Sequence, residues 1–85
     1  MNDLIRYKYR ILLYINEEYS ILKEYVEYGK YRNINQANNE WKFIDFDFKH
    51  NTGVAKSGLY QKAELVELVD KKYDVVIGKV VLNNL

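Results

Sequence analysis

Eighty-five residues make one domain with a small core and little spare apolar chain to line a deep pocket. Hydrophobic residues at 48% and aromatics at 15% exceed what disordered chains carry, and a net charge of +1 disfavours both a strongly basic nucleic-acid binder and an acidic nucleic-acid mimic. The absence of cysteine excludes disulfides, thiol catalysis and cysteine-ligated metal.

The start, Met1-Asn2-Asp3-Leu4, lacks the basic-then-apolar layout of a signal peptide. No stretch approaches the roughly 18 apolar residues of a membrane span. The expectation is a cytoplasmic protein with no membrane partner. Asn, Lys, Tyr and Ile, all with AT-rich codons, supply 35 of the residues. That fits a low-GC bacterium, its phage or its plasmid.

Ile5, Tyr7, Tyr9, Ile11, Leu13 and Ile15 alternate with Arg6, Lys8, Arg10, Leu12 and Tyr14. Period two predicts a strand over 5–15. Asn16 is a good N-cap, and Glu17 and Glu18 suit a helix start. Ile21, Leu22, Tyr25, Val26 and Tyr28 share half of a helical wheel, and Gly29 suits its end. This predicts a helix over 17–29 that buries Leu22 and Val26. Residues 32–40 are polar and Asn-rich and read as a connection. Trp41 to Lys49 alternates again and predicts a second strand, with Lys42, Ile44, Phe46 and Phe48 as its core set. His50 to Gly53 reads as a turn, with Val54–Lys56 as a short returning strand. Ser57 as a cap, then the helix formers of Lys62 to Val69, predict a second helix within 57–71. In Tyr73 to Leu82, Val75, Val76, Ile77, Val80, Val81 and Leu82 make an apolar, largely β-branched run, which predicts a central strand covered on both faces or a packed barrel strand. Ile77 belongs in its core, and Gly78 marks a bulge or a close backbone approach.

The expected fold class is therefore α+β. It has a small sheet of three to four strands with two helices, in the order β-α-β-(β)-α-β of ferredoxin-like domains. If 57–71 is strand instead, the alternative is a small curved sheet packed on a helix. Neither arrangement licenses an activity.

The candidate chemistry is thin. Gly53-Val54-Ala55-Lys56-Ser57 falls short of a phosphate loop, because Ala55 and His50 stand where that motif needs glycine. Asp45 and Asp47, spaced by two on a strand, would present paired carboxylates to a divalent metal. The same alternation equally makes them the solvated face of an amphipathic strand. His50 is the lone histidine and has no partner at a diagnostic spacing. The run Lys62-Ala63-Glu64-Leu65-Val66 resembles part of the second helix of small helix-extended-helix DNA-binding modules. That likeness covers five residues and carries no function. No catalytic residue, metal site or cofactor is expected.

Nine tyrosines are the unusual feature. Tyrosine gives a large contact area at low entropic cost and a hydroxyl for a polar rim. Tyr7, Tyr9 and Tyr25 are in phase with core positions. Tyr14, Tyr28, Tyr31, Arg32 and Tyr60 are the candidate partner-binding residues. The first expectation is a non-catalytic protein-interaction module, for example a phage- or plasmid-encoded inhibitor or adaptor on a larger host protein, with room for a homo-oligomer. The alternative is a nucleic-acid partner, met by the basic row Arg6, Lys8 and Arg10 together with sheet aromatics.

Overall fold

The computed structural model describes residues 7–16 and 24–82. Four strands, β1 (Tyr9–Asn16), β2 (Glu24–Tyr31), β3 (Lys62–Val69) and β4 (Lys72–Val81), form one antiparallel sheet in the order β2-β1-β3-β4. One helix, α1 (Ile34–His50), and a short 3-10 turn (Gly53–Ala55) lie between β2 and β3. The fold is α+β; among the described residues it has one α-helix where two were expected, and their element order is β-β-α-β-β rather than the ferredoxin-like one.

The centre of the sheet explains itself. Ile11, Leu12, Leu13 and Tyr14 of β1 are all buried, so this strand packs on both faces. Ile11 and Leu13 join Ala63, Leu65 and Val80 on the face covered by α1. Ala37, Ile44 and Phe48 of α1 complete that core, with Trp41 packed against it. Positions 37, 41, 44 and 48 recur at helical spacing and make one stripe. The second face holds a smaller cluster of Leu12, Tyr14 and Val66 with Tyr73 against it. Among the described residues no helix covers that face.

Several expectations fail, each for a physical reason. Residues 24–31 are strand, not helix, and Val26 is 40% exposed rather than core. Leu22 lies outside the described residues. The Asn-rich connection 32–40 is the start of α1: the Asn33 side chain accepts the Gln36 N–H at 2.9 Å, and the Gln36 side chain accepts the Arg32 N–H at 3.3 Å. The first of these bonds is an N-cap, which makes Asn33 a start signal, and the second ties the preceding residue to the first turn. The expected strand at 41–49 is the rest of that helix, which ends at Asn51 in a left-handed conformation. Val54–Lys56 is not strand; Gly53–Ala55 makes a single 3-10 turn. Residues 62–69 are a central strand, not a helix, which also ends the DNA-binding-helix likeness. Helix propensity loses there to pairing on both sides.

The final strand exists as expected but lies at the edge of the sheet. Ile77 is 43% exposed, because β4 bulges there: Leu65 pairs with Gly78 and Val66 with Val76, leaving Ile77 without an opposite residue. A second bulge falls at Asp74, between the Glu67–Val75 and Leu68–Tyr73 pairs. Two bulges blunt an otherwise β-branched edge against pairing with another chain.

Candidate functional site

Helix α1 carries a second stripe. Phe43, Phe46 and His50 recur at helical spacing about half a turn away from the core stripe. They point straight away from the sheet. Phe43 is 60% exposed and Phe46 is 54% exposed. The Phe46 ring stacks on His50 with centroids 4.1 Å apart, and the Lys42 ammonium sits 5.6 Å from the Phe43 ring. Lys42 and Lys49 flank the stripe on one side, and Glu40 and Asp47 on the other. Two adjacent exposed phenylalanines do nothing for this chain's own core.

The residues that the sequence offers for chemistry are engaged structurally. Asp45 pairs with Lys49 at 2.9 Å along the helix. The Asp47 carboxylate accepts from the Thr52 hydroxyl at 3.1 Å and the Val54 N–H at 3.4 Å. It thereby fixes the turn at Gly53, whose φ is +53°. On a helix, a spacing of two puts Asp45 and Asp47 on different faces, so they do not form a joint metal site. Among the described residues no cluster of three or more His, Asp or Glu side chains stands ready for a metal.

The second sheet face is a polar–aromatic network. Arg10 lies 3.2 Å from the Glu27 carboxylate, 4.5 Å from the Tyr73 ring centroid and 5.9 Å from that of Tyr25. The Tyr14 hydroxyl donates to Glu64 at 2.9 Å, and Glu64 pairs with Lys62 at 3.3 Å. Lys62 and Glu64 are buried in the central strand β3. Burial, then the Glu64 hydrogen bond and charge, holds the Tyr14 phenol well above its ordinary range.

The predicted partner residues therefore scatter. Tyr14, a candidate partner-binding residue, is buried, because β1 packs on both faces. Tyr25, expected in the core, is exposed on edge strand β2. Tyr28 is exposed at a bulge of β2, between the Ile11–Gly29 and Leu12–Glu27 pairs. Tyr31 and Tyr60 are half-buried against the main core. Arg32 is exposed at the junction of β2 and α1. Of the basic row, Arg6 lies outside the described residues, Lys8 pairs with Glu67 at 3.6 Å, and Arg10 is held by Glu27 and Tyr73.

Tyr31 and Arg32 do meet at a cavity of about 480 Å³ between the end of β2 and the start of α1. Tyr7, Lys30, Gln36 and Asn39 line it with them. The Phe43–Phe46 stripe escaped sequence reading, since its two rings completed a period-two pattern and passed for a strand.

Comparison with protein-family models, curated proteins and solved structures finds no match to this chain.

Proposed function

We propose that this chain is a non-catalytic protein-interaction module, an adaptor or inhibitor that docks on a larger protein through the outward face of α1. The carrying observation is the exposure of Phe43 and Phe46 on the side of the helix opposite its core stripe. Aromatic side chains anchored in a partner's pocket supply most of the energy of such contacts. An amphipathic helix whose second apolar stripe faces solvent is the form that grooves accept.

The partner's chemistry follows from the stripe. Two half-exposed rings offer roughly 200–250 Å² of apolar surface. A flat contact between two copies would fall far below the roughly 800 Å² per partner of a stable interface. A concave apolar groove on a larger protein reaches the helix flanks as well. Its rim should be acidic along the Lys42 side.

The test is affinity capture from source cells with the wild type and with a Phe43→Ser/Phe46→Ser variant of equal stability. A protein enriched by the wild type and lost with the variant, and binding the purified chain directly, supports the reading. Equal capture by both chains overturns it.

A further inference from the structure

The cavity beside Tyr7 opens next to a second one of about 380 Å³, and Arg32 lines both. Lys8 and Lys71 line the second cavity. The cations come from three places in the sequence, Lys8, Lys30 with Arg32, and Lys71, and the fold brings all four to one end of the sheet. Two acids, Glu40 and Asp70, line the same walls. Lys8 and Lys30 make only long, solvent-exposed ion pairs, at 3.6 and 3.9 Å. Such pairs release a cation readily to a phosphate. Arg32 and Lys71 ion-pair with no described residue.

Tyr7 stands among these cations. The Lys30 ammonium lies 5.7 Å and the Arg32 guanidinium 6.0 Å from its ring. The ring's backbone is fixed from three sides. The Tyr7 carbonyl accepts the Tyr73 hydroxyl at 2.6 Å, the Lys8 N–H donates to Tyr31 O at 2.9 Å, and Lys8 O accepts from Leu68 N–H at 2.7 Å. Gln36 and Asn39 add amide groups to the same cavity. Asn and Gln amides match the paired donor and acceptor of a base edge.

We infer that this end of the molecule binds nucleotide units, with a base on Tyr7 beside Gln36 and Asn39, and phosphates at Arg32, Lys8 and Lys71. Both cavities are open to solvent along their length, as a surface that tracks a strand must be. The shared Arg32 joins a base seat to a second basic seat, the layout of a single strand tracked by aromatic stacking and backbone cations. The ligand is a nucleotide, free or within a single strand, and the second seat favours the strand. The site lies apart from the Phe43–Phe46 stripe and does not depend on it.

The experiment is fluorescence anisotropy with a labelled oligothymidylate of about ten nucleotides at low salt. Free nucleoside monophosphates and random duplex serve as competitors, and each variant's fold is checked by circular dichroism. The expected result is binding that weakens with salt, falls about tenfold or more in Arg32→Gln/Lys71→Gln, and falls similarly in Tyr7→Ala but not in Tyr7→Phe. Phe43→Ser/Phe46→Ser should bind the strand like wild type, which separates this site from the docking stripe. Competition by monophosphates at equal concentration would support the site and assign it to free nucleotides. Absence of binding to strand and monophosphate alike, a preference for duplex, or equal binding by Tyr7→Ala would overturn the inference.

Discussion

The Trp41 indole and Gly78 are fitted to each other: a Cβ built on Gly78 would stand 3.0 Å from Trp41 Cε2. The helix reaches the edge strand there, and only glycine leaves room for the ring. Gly78→Ala should push the indole outward and lower stability by about 1–2 kcal/mol. Chemical unfolding followed by the emission of the lone tryptophan reads both effects. A Trp41→Phe background should absorb part of the loss. Wild-type stability and emission in Gly78→Ala would contradict the close approach.

The buried Lys62–Glu64 pair predicts an asymmetry. Removing one partner, as in Glu64→Leu, leaves Lys62 buried and the Tyr14 hydroxyl without its acceptor, a loss of about 3 kcal/mol. Replacing both, as Lys62→Met/Glu64→Leu, should recover the part that comes from stranding the Lys62 charge, while the Tyr14 hydroxyl still lacks its acceptor. Urea midpoints of the single and double variants decide the matter. A double variant as unstable as the single one would show that the ion pair itself supports β3.

The β3–β4 hairpin turns on Asp70 and Lys71, with φ of 52° and 67°. Positive φ at both central residues is the signature of a type I′ turn, which Asn-Gly or Asp-Gly fits best. Lysine is strained there. Lys71→Gly should raise stability by about 0.5–1 kcal/mol. A lower melting temperature for this variant would mean that the Lys71 side chain offsets its backbone strain.

Two tyrosines set the alkaline limit. Burial first, then the Glu40 charge, pushes Tyr31 up from 10.0 to about 12, and Tyr14 shifts in the same direction. The unfolded chain releases these protons near the ordinary phenol value, while the folded chain keeps them. The Tyr31 contribution is complete below about pH 10 and is lost as pH rises from there through about 12, and that of Tyr14 is lost in the same direction. Tyr31→Phe should therefore lose less stability than wild type across that window, seen in urea midpoints against pH. Equal slopes would show that Tyr31 is not shifted.

Two of the four strands were legible in the sequence, while β2 and β3 read as helices. The alternation of Tyr9 to Ile15 marks β1, and the apolar run of Tyr73 to Val81 marks β4, although its bulges and edge position leave no periodic trace. The helix was hidden by two things. Its start is rich in asparagine, a poor helix interior residue that serves here as the cap, at Asn33. Its second half carries Phe43 and Phe46 facing outward, and together with Trp41, Ile44 and Phe48 they simulate a strand. Local pattern and actual fold disagree where residues are not needed for folding, and such conflicts gather at functional positions. In β3, Lys62 and Glu64 read as helix formers because their pairing partner is visible only in three dimensions. Lys30 and Arg32 flank Tyr31 in the sequence, but nothing there shows that Lys8 and Lys71 join them, since other elements supply those two.

The outward phenylalanines should be dispensable to the fold. Phe43→Ser/Phe46→Ser should melt within about 0.5 kcal/mol of wild type, as exposed substitutions do. A large loss would make these rings part of the core and remove the basis for a docking face.

The most direct measurement is photo-crosslinking inside the source cell. Benzoylphenylalanine is placed as Phe43→benzoylphenylalanine, or at the far end of the sheet as Lys72→benzoylphenylalanine. The docking reading predicts one discrete, heavier adduct with a protein larger than this chain from position 43 and none of that size from position 72. No adduct from position 43, the same adduct from both positions, or an adduct of two copies of this chain alone would contradict it.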